Sequence, residues 1–221
     1  MKQKTEISII RNLGDLQLIS LKKKIPQIKP GQFLIAFNPE KDDHLIPIYF
    51  TLQLEELYFV KPKNTNWEIG DQLIIKGPIG SGFSNYSNYL NLLCVSLDQP
   101  HGGLNPVIDN SVNMGKNVAY MVEDTNVVLP NSVEIVFPGI LDENMLWADF
   151  VLIEVERDHL EQSKEILKRI LNSGIPAEIL IYCPILCSGD SHCMVCSVKT
   201  KKGWIKTCQH GTVFNLNELE F

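Results

Sequence analysis

The sequence predicts a β barrel followed by an open, mostly parallel α/β sheet and a small cysteine-rich tail. Three observations predict it. Residues 1–87 carry short alternating or apolar segments separated by turns rich in Pro, Gly, Asn, Asp and Lys, which is the rhythm of a barrel. Residues 88–182 alternate apolar strands with helically spaced segments, the pattern of a sheet covered by helices. Residues 183–221 hold five of the six cysteines.

Composition bounds the rest. Of 221 residues, 44% are hydrophobic, enough for one or two compact cores, and no apolar run reaches the roughly 20 residues of a membrane helix. A net charge of -6, spread without long runs, argues against nucleic acid, which calls for a basic face. The opening Met-Lys-Gln-Lys-Thr-Glu runs straight into a strand-like segment, so a cytoplasmic chain with reduced thiols is expected.

In the first part, strands are predicted at Glu6–Ile10, Leu16–Leu21, Phe33–Phe37, Leu57–Val60 and Gln72–Lys76. Lys29-Pro30-Gly31-Gln32-Phe33 precedes one strand, and Gly77-Pro78-Ile79-Gly80-Ser81-Gly82-Phe83 closes the barrel; each taken alone reads as a β-turn. In the second part, Leu90–Leu97 is an apolar strand. Asn105-Pro106 then reads as an N-cap with proline at the first helical position, with Leu104, Val107, Ile108 and Val112 at helical spacing. Asn117–Val122, Val133–Phe137 and Asp149–Val155 are further strands. Asp158 and Glu161 form a capping box for a helix burying Leu160, Ile166, Leu167, Ile170 and Leu171, and Ala177–Tyr182 is the last strand.

The chemistry concentrates in the tail. Cys187, Cys193, Cys196 and Cys208 form a C-x5-C-x2-C-x11-C array, and four thiolates brought to one point are what zinc or an iron–sulfur cluster requires. Zinc stays open, with His192 and His210 as further candidate ligands. Only one C-x2-C step is present, however. The loop from Cys187 to Cys193 is built of small, flexible residues that let backbone N–H groups curl around cluster sulfides, which favours a 2Fe-2S cluster.

The cysteine array, the hairpin from Val198 to Cys208 and the tail Gln209-His210-Gly211-Thr212-Val213-Phe214 resemble the end of the electron-transfer subunit of NAD-dependent dihydroorotate dehydrogenases. That family reads Cys-Gly-x-Gly-x-Cys-x-x-Cys, then Cys, then Gly-Pro-Val-Phe. Here one residue is inserted between the first two ligands, Ser188 replaces the first glycine and Thr212 the proline; the first ligand is read as Cys187, with Cys183 the alternative. The two barrel signatures resemble the flavin-binding barrel of the ferredoxin-reductase superfamily. The resemblance implies a ferredoxin-reductase-like fold: a barrel (1–87), a nucleotide-binding-type α/β domain (88–182) and a 2Fe-2S domain (183–221).

It also implies a flavin lined by Pro47, Tyr49, Thr51, Gly77, Pro78 and Gly80, and a catalytic flavoprotein subunit as partner in a hetero-oligomer. The arginine that pairs with the flavin pyrophosphate in that family falls on Ile46, removing a charge-assisted pair of about 1.5–3 kcal/mol and leaving FAD open. Tyr49 reads equally as a half-buried strand tyrosine. NAD(P) is not expected. The family's glycine-rich turn is matched by Ser96-Leu97-Asp98-Gln99-Pro100-His101-Gly102-Gly103, where Asp98 sets a negative charge at the phosphate position and Pro100 lacks an N–H. A later Cys-Gly-Pro turn is replaced by Ile153-Glu154-Val155-Glu156.

The expected function is an iron–sulfur electron-transfer component of an oxidoreductase complex, not a stand-alone enzyme. The alternatives are a non-redox zinc scaffold and an NAD(P)H:acceptor flavin reductase with an atypical nucleotide loop. Ile185, Leu186, Met194 and Val195 are candidates for the partner face or, equally, for packing beneath the cluster.

Overall fold

The computed structural model describes residues 2–13, 16–23, 25, 28–42, 45–53, 56–61, 65–98, 102–122, 129–185, 187 and 192–221. Six strands form a closed antiparallel barrel in the order β1-β2-β5-β4-β3-β6: β1 (Lys2–Leu13), β2 (Leu16–Leu21), β3 (Phe33–Phe37), β4 (Ile46–Gln53), β5 (Glu56–Lys61) and β6 (Gln72–Ile79). Side chains alternate across each strand. Ile46, Ile48 and Phe50 of β4 therefore point inward with Ile7, Ile19, Phe59 and Trp67. The opposite face of the barrel carries Tyr49 and Phe33 into a second core shared with the sheet.

That sheet has the order β14-β11-β10-β7-β8-β9. β7 (Asn91–Ser96), β8 (Asn117–Met121), β9 (Glu134–Val136), β10 (Phe150–Glu156) and β11 (Ala177–Tyr182) run parallel, joined through α1 (Asn105–Asn113), α2 (Leu141–Trp147) and α3 (Lys164–Asn172). The chain lays down β7, β8 and β9 toward one edge and then returns to place β10 on the other side of β7. β10 and β11 are buried on both faces, hence their continuous apolar runs. No helix among the described residues is long and apolar enough to cross a membrane.

The tail forms a hairpin of β12 (Ser197–Thr200) and β13 (Gly203–Lys206), a short helix α4 (Thr207–His210), and β14 (Val213–Asn215), which adds antiparallel to β11. The chain from the cysteines thus returns to complete the sheet, an element with too few residues to show a period. Two elements differ from expectation. Asp158 caps no helix: it pairs with Arg157 at 2.8 Å, residues 157–159 form a 3-10 turn, and α3 begins at Lys164. α2 has no counterpart in the predicted elements, because it buries only Leu141 and Met145 and leaves Leu146 exposed.

Barrel, sheet and tail meet at a backbone-to-backbone contact between Gly80 and Gly211. A Cβ on Gly211 would lie 2.3 Å from the Gly80 Cα, and Gly211 has φ +96, ψ 177, a conformation almost confined to glycine. The Thr212 hydroxyl donates to the Gly31 carbonyl at 3.2 Å and Gln32 Nε2 to the Gly80 carbonyl at 2.6 Å, locking the junction. Gly211→Ala should destabilise the fold by about 3 kcal/mol or more in urea denaturation, from strain plus overlap. Gly115→Ala, at φ +73 with nothing within 4 Å, should cost about 1–2 kcal/mol.

Candidate functional site

Open parallel sheets bind ligands outside the carboxyl ends of their strands where the strand order reverses, which here is the crevice between β7 and β10. A carboxylate fills it. Glu154 is fully buried, so its charge needs partners. The Tyr182 hydroxyl donates to Oε2 at 2.7 Å, the Gly103 N–H to Oε2 at 3.2 Å and the Tyr120 hydroxyl to Oε1 at 3.2 Å. Burial first, and the Glu154 charge second, push both tyrosine hydroxyls well above their ordinary range. Gly103 is fixed by this packing, since a Cβ there would lie 2.2 Å from the Tyr182 hydroxyl.

Beside Glu154, the Asp98 carboxylate accepts the Glu156 N–H at 2.6 Å and lies 3.1 Å from His159 Nδ1. Asp98 thus ties the end of β7 to the end of β10. Gln99, Pro100 and His101 lie outside the described residues. Sequence reasoning finds the acids but misses the tyrosines and Gly103 that satisfy Glu154. The available signal is a lone Glu in the otherwise apolar run Val151-Leu152-Ile153-Glu154-Val155, which demands buried donors.

The residues expected around a flavin are drawn into internal contacts. Tyr49 is buried, with its ring edge-on to Tyr182 at 4.5 Å and tilted against Phe33 at 5.4 Å. Burial pushes its hydroxyl far up. The Thr51 hydroxyl donates to the Gly102 carbonyl at 2.8 Å. Pro47 is half-buried, and Ile46, the position of the family's arginine, points into the barrel. Gly77 precedes Pro78 through a cis bond, and Gly80 is covered by Gly211. In this stretch the Thr51 hydroxyl is taken by Gly102, whereas the buried Tyr49 hydroxyl has no hydrogen-bond partner among the described residues.

The cysteines gather where β12, β13 and α4 meet β11. Cys208, in α4, is bordered by the thiols of Cys196 and Cys187; burial, then these two neighbours, push it up to about 12. The Cys196 carbonyl accepts both the N–H and the hydroxyl of Thr207, each at 3.1 Å, so the knuckle and α4 are fixed to each other. Met194 takes a left-handed φ of 58, which turns the chain between exposed Cys193 and buried Cys196. Cys183 is buried near Thr207 and Cys196, and burial pushes its thiol up to about 12. His192 and His210 are exposed, and Cys94 lies in the sheet core. Leu186 and residues 188–191, on which the loop reading partly rests, lie outside the described residues.

Three thiols in one neighbourhood and a fourth on the same turn fit a thiolate-bound metal group. No three of them lie within 4.8 Å of one another among the described residues, whereas one tetrahedral zinc would hold its sulfurs about 3.8 Å apart. Of the expected partner face, Ile185 is buried, Val195 half-buried and Met194 exposed.

Barrel, doubly covered sheet and returning tail define a chain of the ferredoxin-reductase-like class. A solved NADH-dependent reduced ferredoxin-NADP oxidoreductase, described for flavin-based electron bifurcation, superposes with a TM-score of 0.72 over 98% of this chain and 89% of its own, at 16% identity. The ferredoxin reductase of carbazole 1,9a-dioxygenase gives 0.60 over 80% of this chain and 64% of its own, at 15% identity. In sequence the chain is 27% identical, over 177 residues covering 69% of it and 68% of the relative, to the electron transfer subunit of dihydroorotate dehydrogenase B (NAD(+)) from Clostridium perfringens. Its fold is shared with these solved structures, and its sequence is similar to that of the electron transfer subunit. No family model matches the chain.

Glu154→Ala removes the acceptor of the Tyr120 and Tyr182 hydroxyls and leaves the Gly103 N–H only the Tyr182 oxygen at 3.1 Å, and should lower stability by about 3 kcal/mol or more in urea unfolding. Glu154→Gln keeps an acceptor and should lose clearly less; equal losses would show that the hydrogen bonds carry little.

Proposed function

We propose that the chain is an iron–sulfur electron-transfer component of an oxidoreductase complex, with Cys187, Cys193, Cys196 and Cys208 holding a 2Fe-2S cluster. The observation that carries this reading is the placing of Cys208 against Cys187 and Cys196, from segments 11 or more residues apart, in a relative of an electron-transfer subunit. A bound cluster accepts and passes on single electrons. The protein supplies position and environment. Thr207 fixes the knuckle to α4, burial shields Cys196 and Cys208, and Arg157 donates to the Val195 carbonyl inside the knuckle. Cys187 is favoured over Cys183 as first ligand because Cys187 borders Cys208 and is less buried than Cys183.

The same reading excludes nicotinamide nucleotides as electron donors to this chain. The Gly103 N–H, a donor a pyrophosphate would use, is taken by Glu154, and a second carboxylate, Asp98, stands at the crevice mouth. Like charge in a desolvated site costs several kcal/mol. Flavin is retained at most in part, given the internal contacts of Thr51, Tyr49 and Gly80. Electrons then arrive and leave through other proteins, so a catalytic oxidoreductase subunit is the partner in a cytoplasmic hetero-oligomer.

Anaerobic purification should yield a brown protein with about two irons per chain. Cys196→Ser should bleach it and Cys187→Ala should lose the cluster, whereas Cys183→Ala should keep it. Stoichiometric zinc in a colourless folded protein would refute the reading in favour of the scaffold. Calorimetry should detect no NADH or NADPH binding, and a dissociation constant near micromolar would restore the reductase alternative.

A further inference from the structure

The β12–β13 hairpin is a strongly basic element of an acidic chain. Residues 192–217 contain four lysines and no carboxylate; setting those four aside leaves 16 Lys and Arg against all 26 Asp and Glu, a net of -10 for the remainder. The hairpin is held rigidly. Thr200 Oγ1 donates to the Gly203 carbonyl at 2.7 Å, the Lys201 N–H to the Glu218 carbonyl at 2.9 Å, and Val198 and Thr200 are buried on its inner side. Its outer side is left to solvent. Lys199 is neutralised by Glu220 at 2.8 Å, but Lys201 and Lys202 at the tip are exposed and make no ion pair among the described residues.

Trp204, directly across from Lys199, is 62% exposed. It forms one wall of a groove of about 570 Å³ whose other walls include Leu160, Leu219, Phe221 and the carboxylates of Asp158, Glu161 and Glu220, each paired with a neighbouring cation. A large exposed tryptophan beside a groove of apolar and ion-paired side chains is the kind of anchor that dominates protein interfaces, and the tip lysines beside it steer an oppositely charged partner. The hairpin is also rooted at the thiols: β12 begins just after Cys196 and β13 ends two residues before Cys208. Four residues of strand put its tip about 13 Å from them, well inside a standard protein footprint.

We infer that the hairpin face formed by Lys201, Lys202 and Trp204 is the docking surface for an acidic protein electron carrier, one whose carboxylates meet the tip lysines while an apolar side chain enters the groove. The redox character of that partner rests on the electron-transfer reading; the acidic face rests on the hairpin alone. A nucleic acid fits less well, because the rest of the chain, at -10, would repel a long polyanion and the face offers a single stacking ring.

The test titrates the purified full chain with an acidic flavodoxin, with basic cytochrome c and with a single-stranded oligonucleotide, at low and at high ionic strength. Flavodoxin should bind at low ionic strength and weaken steeply with salt. The double variant Lys201→Glu/Lys202→Glu should weaken it by about tenfold or more and flatten the salt dependence, with an unchanged thermal melt. Trp204→Ala should weaken it at both salt levels alike. Equal affinity for wild type and charge variant, preference for cytochrome c, or oligonucleotide binding that the variant abolishes would each overturn the assignment. Iron content and colour of the same samples are read separately. A colourless zinc protein that still docks flavodoxin through the lysines would sink the electron-transfer reading and leave the docking face standing.

Discussion

The contact between Gly80 and Gly211 is the constraint on which the arrangement of the molecule depends. Two backbones meet there with no room for a side chain, and each belongs to a different structural system: Gly80 ends the barrel, Gly211 ends the helix that carries Cys208. Bringing them together places α4 against the barrel and aims the following residues at β11, where the Ile181 N–H donates to the Thr212 carbonyl at 2.9 Å. The thiols are gathered as a consequence. The two hydrogen bonds from Thr207 to the Cys196 carbonyl then fix Cys208 against the knuckle.

Two buried carboxylates tie neighbouring elements of the fold together. Glu178 of β11 accepts the Ser84 N–H at 3.2 Å, the Ser84 hydroxyl at 3.1 Å and Asn85 Nδ2 at 2.8 Å, fastening the barrel's exit to the sheet. Glu154 does the equivalent across the strand ends with Tyr120, Tyr182 and Gly103. Each is an internal anion provided with donors by neighbouring elements, which is how a desolvated charge is tolerated. The loop before α1 is held by the protein's own carboxylate.

Much of the architecture is legible in the sequence because the strands are strongly patterned. Leu16–Leu21, Phe33–Phe37 and Ala177–Tyr182 are strands over the same residues that the pattern predicts. The start of α3 is not legible. Asp158 and Glu161 have capping spacing, yet Asp158 has Arg157 beside it and the chain makes a 3-10 turn first. Strand β14 is hidden for a different reason: it is stable only as the partner of β11, a tertiary fact no local window contains. At the site, the cysteine spacing is legible as a candidate ligand array, but the environment of Glu154 depends on groups from three strands and a loop. The position of the family's arginine shows the limit of motif matching, since Ile46 faces the barrel interior while Tyr49 faces the sheet.

The pairing of β14 with β11 also orders events in time. During vectorial synthesis the outer edge of β11 stays unpaired until the ribosome has passed Cys208, and an uncovered edge is an invitation to aggregation. The residues that protect that edge are made after every one of the cysteines. A nascent chain therefore carries these thiols before its sheet is sealed, so reactive thiols and an unpaired edge are open to misassembly in the same interval of biogenesis.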